Sequence, residues 1–158
     1  MDSLLLYQTV KTLHILSAVL LLGTGFGTAF YLFFANRSGS VPAISVVSYW
    51  VCKADFWFTT PCVFVQFFSG LWLMHALKMP FSATWIWASL GLFFFVGACW
   101  LPVVVWQLKM RDLAKKACDN NENLPAQYWQ LAKKWEMMGY PAFCATIAIV
   151  FLMVFKPM

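Results

Sequence analysis

Charged residues are scarce in this sequence. Lysine and arginine number 11 and aspartate and glutamate 6, so that 11% of the 158 residues are charged, whereas 62% are hydrophobic. A typical soluble domain carries about 25% charged residues. A soluble chain of this size would have to expose much of its apolar surface to water. The composition therefore excludes an ordinary soluble domain and indicates a protein embedded in lipid.

Groupings of reactive or metal-binding residues are also few. The five cysteines are scattered and form no C-x-x-C pair, so neither a disulfide framework nor a zinc site is indicated. The sequence shows no Ser/His/Asp, Cys/His or paired-carboxylate arrangement. The net charge of +5 is compatible with nucleic acid, but the cations flank apolar segments, which membrane orientation explains better. We therefore expect no nucleic-acid partner.

Four long apolar runs are present instead, and we place the spans at residues 13–35, 56–77, 84–106 and 137–155. None of the runs alternates between apolar and polar residues with period two, and the backbone hydrogen bonds of an open sheet cannot be satisfied in lipid. Each run therefore predicts a helix. At about 1.5 Å per residue the first run is roughly 35 Å long, enough to cross a hydrocarbon core of about 30 Å. The predicted fold is all-α, a polytopic membrane four-helix bundle in which residues 1–158 form one domain.

The loops between the runs differ in basic content. Residues 36–55 and 107–136 hold eight lysines and arginines, against three on the other side. The positive-inside rule places these loops in the cytoplasm and both termini on the periplasmic side of a bacterial inner membrane. Within the loop 107–136 we expect the third helix to continue, to break at 119–123, and a further helical piece to open at Leu124 and Pro125. Asp55, beside Lys53, is expected to form a solvated pair at the boundary.

The sequence contains two histidines, His14 and His75. If Asn36 and Asp55 mark the same membrane boundary, His14 is 22 residues up the first helix and His75 is 20 residues up the second. These distances are roughly 33 and 30 Å, so the imidazoles would reach nearly the same depth. Two such nitrogens suit one haem iron or one metal ion. The alternative is an interfacial His75 and a His14 that hydrogen-bonds a neighbouring helix.

Small residues near His14 favour a flat cofactor there. Gly25 lies near the helix face of His14, with Ala18 between them, although the Gly23-x-x-x-Gly27 spacing is also an ordinary helix-packing motif. Four methionines lie at the predicted end of the bundle that holds His75. Their thioethers suit copper, and the alternative explanation is that they fill an apolar core. These methionines are Met74, Met79, Met153 and Met158. The pattern predicts haem b, with copper at the same histidines as the alternative.

Motifs near the ends of the runs carry a family resemblance. They are Lys11-Thr12-Leu13-His14-Ile15, Gly70 with Leu73-Met74-His75, Trp85 with Ser89, Leu101-Pro102, and Leu152-Met153-Val154-Phe155-Lys156-Pro157. With these motifs the chain resembles an uncharacterised bacterial family of four-helix integral membrane proteins. The resemblance covers nearly the whole chain and implies no established activity.

A more distant resemblance rests on Leu13-His14-Ile15 and Val154-Phe155-Lys156-Pro157. These segments resemble HemJ-type protoporphyrinogen oxidases, small four-helix membrane proteins that bind haem b and have a first-helix histidine matching His14. That family carries a lysine in a Gly-Trp-Leu-x-x-Lys pattern opening its third helix, whereas Ser89 stands at the corresponding position here. The resemblance implies a haem site at His14, and the missing lysine argues against the oxidase activity.

The leading hypothesis is therefore a b-type haem protein with a redox or electron-transfer role linked to tetrapyrrole or quinone chemistry. A copper-binding or metal-transport membrane protein, and a structural or assembly subunit of a membrane complex, are the alternatives. The expected partners are the lipid bilayer and a quinone, a tetrapyrrole or a redox protein, with a homo-oligomer as a further option.

Overall fold

The computed structural model describes residues 2–80 and 82–156. Its helices are α1 (Asp2–Ser38), α2 (Val41–Ala54), α3 (Thr60–Ala76), α4 (Thr84–Asp119) and α5 (Ala126–Phe155). A π-helical turn, Asp55–Thr59, joins α2 to α3 without a break. Four rods result, each long and apolar enough to cross a membrane, and the described residues include no strand. The predicted all-helical fold with four candidate spans is confirmed.

The second rod begins at Val41 and not at residue 56, because residues 41–54 form a helix where a loop was expected. Ser40 caps this helix by accepting a hydrogen bond of 3.5 Å from Ala43 N. Three of its residues, Ile44, Ser48 and Val51, are buried and follow each other at helical spacing. Helix α2 therefore lengthens the second span, which reaches back to the turn at Gly39 and Ser40.

The predicted loop 107–136 is also mostly helical. Helix α4 continues to Asp119 and α5 starts at Ala126, so the connection comprises only residues 120–125. The expected break at 119–123 and the new helical start after Leu124 and Pro125 are both observed. Asn121 adopts a positive φ of 55°, and Glu122 N donates to Ala117 O at 2.8 Å, which closes the end of α4.

The π turn stands immediately before Pro61. In a regular α-helix the proline ring would clash with the carbonyl four residues earlier, and its missing N–H would leave that carbonyl without a partner. In the wider turn, Thr60 N–H reaches Asp55 O, which gives the chain room for the ring and keeps the rod continuous. Asp55 and Thr59 are buried within the bundle by this arrangement.

The helices pack unevenly against each other. Helix α4 packs along α5, α1 along α3, and α2 along α4, whereas α1 and α5 contact each other over only a short stretch. We call the end of the bundle that holds the turns 39–40 and 120–125 the basic end. The hydrophobic core lies there, and its buried members are Leu32, Ala35, Ile44, Val51, Met110, Ala114, Tyr128, Ala132 and Trp135. Outward faces elsewhere carry many exposed large hydrophobic residues, as a lipid-facing surface requires.

A two-residue turn sets the register of the first two rods. Gly39 takes a left-handed φ of 67°, which a glycine accepts without strain, and α2 begins two residues later. As a result His14 contacts Ser69, and Ser17 contacts Gln66. In this register Asn36 lies level with about residue 47 and not with Asp55.

Candidate functional site

His14 joins α1 to α3 through a hydrogen-bonded cluster. Its Nδ1 lies 2.8 Å from Ser69 Oγ, and its Nε2 lies 3.0 Å from Gln66 Nε2. Ser17 Oγ donates to Gln66 Oε1 at 2.6 Å. Because Ser69 gives its own hydrogen to Val65 O and the Gln66 NH₂ group can only donate, the pattern assigns a neutral imidazole protonated on Nδ1. Both ring nitrogens of His14 are therefore engaged.

His75 lies away from this cluster. It is exposed in the last turn of α3. In the register of the first two rods it is level with Gln8, which is six residues from His14, or roughly 9 Å along the bundle axis. The structure thus does not bring the two imidazoles to one depth. The expected alignment took Asn36 and Asp55 as one boundary, and the helical residues 41–54 shift it.

The remaining predicted site residues, Ala18 and Gly25, do not gather in one place either. Ala18 is half-buried one turn along α1, and Gly25 lines a separate crevice that is described below. Ser89 is buried in α4, and its hydroxyl has no hydrogen-bond partner among the described residues. Met158, one of the expected thioether donors, lies outside the described residues.

The surroundings of His14 do not fit a macrocycle held between His14 and His75. A Cβ atom built on Gly70 would lie 3.2 Å from His14 Cε1, so the backbone of α3 already covers that edge of the ring. Within residues 2–80 and 82–156, no three or more histidine, cysteine, aspartate or glutamate side chains come together as a metal site requires. The cluster is well suited to holding two helices together.

A crevice of about 390 Å³ opens between α1 and α5, which contact each other over only a short stretch. Helix α4 contributes part of its wall through Cys99 and Trp100. The lining is mostly apolar and extends along α1 from Phe34 near the basic end to Leu21. That stretch is roughly 20 Å long. Pockets of about 300–1,000 Å³ with a few polar groups are typical of small-molecule sites.

Three buried polar side chains, Asp55, Thr59 and Gln107, lie on the wall of this crevice. Thr59 Oγ1 donates to Asp55 Oδ1 at 2.9 Å, and the Gln107 side chain also hydrogen-bonds Asp55. Gln107 Oε1 has no hydrogen-bond partner in the described part of the chain. We call these three residues the polar patch. An ionisable side chain inside a span is costly and marks a functional site by default.

The polar patch lies just inside the apolar part of the bundle. The exposed Lys53 and Lys109 stand two residues closer to the basic end than Asp55 and Gln107 respectively, a difference of roughly 3 Å. Such lysines are typical of the edge of a membrane span. A molecule that placed its polar end at the patch could therefore extend its apolar part towards the middle of the bilayer.

An ion pair bridges α1 and α5 at the rim of the crevice. Arg37 Nη1 lies 3.4 Å from Glu136 Oε1, and both side chains remain partly exposed. The Arg37 guanidinium also lies 3.3 Å from the centroid of the Phe33 ring. Phe33 and Glu136 both line the crevice, so this group of residues borders its end towards the basic end.

Asp55 and Gln107 were not expected at a site. The expected solvated pair of Asp55 with Lys53 is wrong, because Asp55 is only 7% exposed and faces α4. A signal was present: Ile44, Ser48, Val51 and Asp55 are spaced by four, three and four residues, which is the spacing of one helix face. If residues 41–54 are taken as a helix, this spacing places Asp55 on its buried face.

Four long apolar rods with a buried polar patch define an integral membrane protein. The chain belongs to the family described as predicted integral membrane protein (DUF2269), whose model matches residues 8–157. The expected membership of an uncharacterised family of integral membrane proteins is thereby confirmed. No curated protein and no solved structure matches the chain, so the similarity to HemJ-type oxidases is not shown.

Proposed function

We propose that this protein binds an amphiphilic, lipid-soluble small molecule in the crevice between α1 and α5. The observation that carries the proposal is the pairing of a long apolar cleft with one buried polar patch near its membrane edge. An amphiphile has the same division into a polar end and an apolar chain. A ligand of this kind could enter sideways from the lipid, because α1 and α5 leave a gap in the wall of the bundle.

Two glycines of the crevice lining agree with the proposal. Gly25 and Gly139 both line the crevice, and a Cβ atom at either would meet nothing within 4 Å. Glycines that let helices approach each other would instead have close neighbours. The small residue Gly25, expected beside a flat cofactor, thus lies beside open space, but in the α1–α5 crevice and not at the His14 ring.

The test uses a photoreactive probe, hexadecanol with a diazirine in mid-chain, incorporated with the purified protein into lipid nanodiscs. After illumination, mass spectrometry locates the labelled residues. We expect labels on the crevice lining of α1 and α5, and we expect Gly25→Leu, which fills the crevice, to reduce them at least about fivefold. Gly23→Leu is the matched control, since Gly23 is exposed two residues away and does not line the crevice. Equal labelling of both variants would contradict the proposal.

Membrane sidedness forms part of the proposal. The basic end holds eight lysines and arginines in residues 36–55 and 107–136, and we propose that it faces the cytoplasm of a bacterial inner membrane, with both termini on the periplasmic side. Alkaline phosphatase fused after residue 158 should be active, whereas a fusion within residues 120–125 should be inactive. The reverse result would place the polar patch in the opposite leaflet and leave the crevice unchanged.

The redox hypothesis remains a proposal of lower rank. The sequence pattern supports binding of haem b or copper at His14 and His75. The structure gives it less support, because the two residues lie apart and both ring nitrogens of His14 hydrogen-bond Ser69 and Gln66. A reduced-minus-oxidised spectrum and a metal assay on the purified protein test it directly. A Soret band that is lost in His14→Ala would favour haem, and copper without a Soret band would favour metal binding. A colourless, metal-free protein would exclude both.

A further inference from the structure

Resting on the proposed function, we infer that the ligand of the crevice carries a protonated amine, an organic cation with N–H donors, and that Asp55 is the residue that recognises it. The inference concerns the polar end of the ligand. It draws on the hydrogen-bond balance of the polar patch, on its charge and on the aromatic lining.

The polar patch offers acceptors in excess of donors. The Asp55 carboxylate hydrogen-bonds Thr59 and Gln107 and has further lone pairs, and Gln107 adds an Oε1 atom that has no partner among the described residues although the residue is only 6% exposed. A buried acceptor without a partner costs free energy, and a donor supplied by a ligand removes that cost. The patch therefore fits a group that donates hydrogen bonds or carries positive charge.

A charge on Asp55 would have no cationic partner among the described residues. The ion pairs of the described residues join Arg37 to Glu136 and Arg111 to Asp112, and no lysine or arginine of residues 2–80 and 82–156 pairs with Asp55. A buried carboxylate usually has a cationic partner, because isolation in a low-dielectric environment is expensive. A cationic ligand would supply that partner.

The lining of the crevice provides a second, independent feature suited to organic cations. Aromatic rings line it in number, and cations bind to the faces of such rings. The aromatic lining residues are Phe26, Phe30, Phe33, Phe34, Trp100, Trp135, Tyr140 and Phe143. The Arg37 guanidinium already uses the ring of Phe33 in this way, at 3.3 Å from its centroid. A carboxylate together with several rings is the chemistry that recognises alkylammonium groups.

A quinone, the lipid-soluble partner expected from the sequence, fits the polar patch less well. Its carbonyl oxygens only accept hydrogen bonds, whereas Asp55 and Gln107 Oε1 are acceptors as well. The unpartnered donor that the crevice lining offers, within the described residues, is the indole N–H of Trp100. Gln107 Oε1 is the matching unpartnered acceptor, and the Asp55 carboxylate beside it makes a ligand that donates the better fit.

The test compares two head groups on one chain. Unlabelled hexadecylammonium and unlabelled hexadecanol compete, at equal mole fraction of lipid, with the photoreactive hexadecanol for the wild-type crevice in nanodiscs. We expect the ammonium compound to compete at a concentration at least about tenfold lower. This comparison needs no variant. Competition by both compounds at the same concentration would overturn the inference while leaving the proposed function intact, whereas absence of crevice labelling would remove the proposed function itself.

Variants then assign the recognition to Asp55. Asp55→Asn keeps the size of the side chain and removes its charge, and it should reduce the preference for ammonium to about twofold or less. Asp112→Asn is the charge-matched control, since Asp112 is exposed, pairs with Arg111 and does not line the crevice. If Asp55→Asn fails to fold, Trp100→Leu provides a second variant, and loss of an aromatic face should lower the preference at least about threefold. An unchanged preference in both variants would contradict a cation site.

Discussion

Tyr128 donates a buried hydrogen bond of 2.6 Å to Asn36 Oδ1, linking α5 to α1 across the core of the basic end. Tyr128 is fully buried, with 0% of its surface exposed. Helices α1 and α5 otherwise pack over only a short stretch. This bond therefore helps to determine how far apart the two walls of the crevice stand.

Replacement of this hydroxyl should destabilise the bundle. Tyr128→Phe would leave Asn36 Oδ1 without its partner in a buried position, and Asn36 Nδ2 already has none among the described residues. We expect a loss of about 1–3 kcal/mol in the free energy of unfolding, measured by SDS titration in mixed micelles. Tyr31→Phe is the control, since Tyr31 is 67% exposed, and it should change the free energy by less than about 0.5 kcal/mol. Equal effects of the two variants would argue against the importance of the bond.

The two histidines should differ in their effect on stability. His14→Ala removes a side chain that bonds Gln66 and Ser69 of α3, and should cost about 1–3 kcal/mol. His75→Ala removes an exposed side chain at the end of α3 and should cost less than about 0.5 kcal/mol. Thermal unfolding in detergent measures both. A larger loss in His75→Ala would show that His75 has a partner which the present arrangement does not contain.

A methyl group at Gly70 should disturb the His14 cluster. Its Cβ would lie 3.2 Å from His14 Cε1, which is closer than ordinary contact, so the imidazole would have to shift away from Ser69 and Gln66. We expect Gly70→Ala to lower the unfolding temperature. Gly97→Ala is the matched control in α4, where a Cβ meets nothing within 4 Å, and it should raise stability by about 0.5–1 kcal/mol through helix propensity. The same sign for both variants would be evidence against the close contact.

The ion pair at the rim of the crevice should contribute little to stability. Arg37 and Glu136 are 3.4 Å apart, and their side chains are 51% and 26% exposed. Water and salt screen such pairs, so Glu136→Gln should lower the free energy of unfolding by less than about 1 kcal/mol. Repeating the titration at high salt should give nearly the same value for wild type and variant. A difference that grew with salt would mean that another interaction had been lost.

The spans could be predicted from the sequence, and the register could not. Long charge-free runs identify membrane helices whatever their neighbours, so the four rods could be predicted, and the polar residues 119–123 indicated the break near Asn121. The depth of His75 relative to His14 depends instead on the short turn at Gly39 and Ser40. If the predicted start of one helix is misplaced by a few residues, every predicted pair of facing residues between that helix and its neighbour is displaced by several ångströms.

The polar patch was missed for a related reason. Residues 41–54 include Lys53 and precede the apolar run that starts at residue 56, so they were assigned to a loop and Asp55 to the membrane boundary. Pro42 in fact occupies the first turn of α2, where its missing N–H costs little. Gln107 could not be paired with Asp55 without knowing that α2 packs along α4.

The order of the crevice walls along the chain has a consequence for assembly during translation. Helix α1 is made first, and α5 follows all the other walls in the sequence. Until α5 has inserted, Gly25 and Phe34 of α1 lack the crevice residues that α5 contributes, such as Tyr140 and Phe143. The crevice is therefore complete only after α5 has entered the membrane, and the ligand proposed for it can be held only from then on.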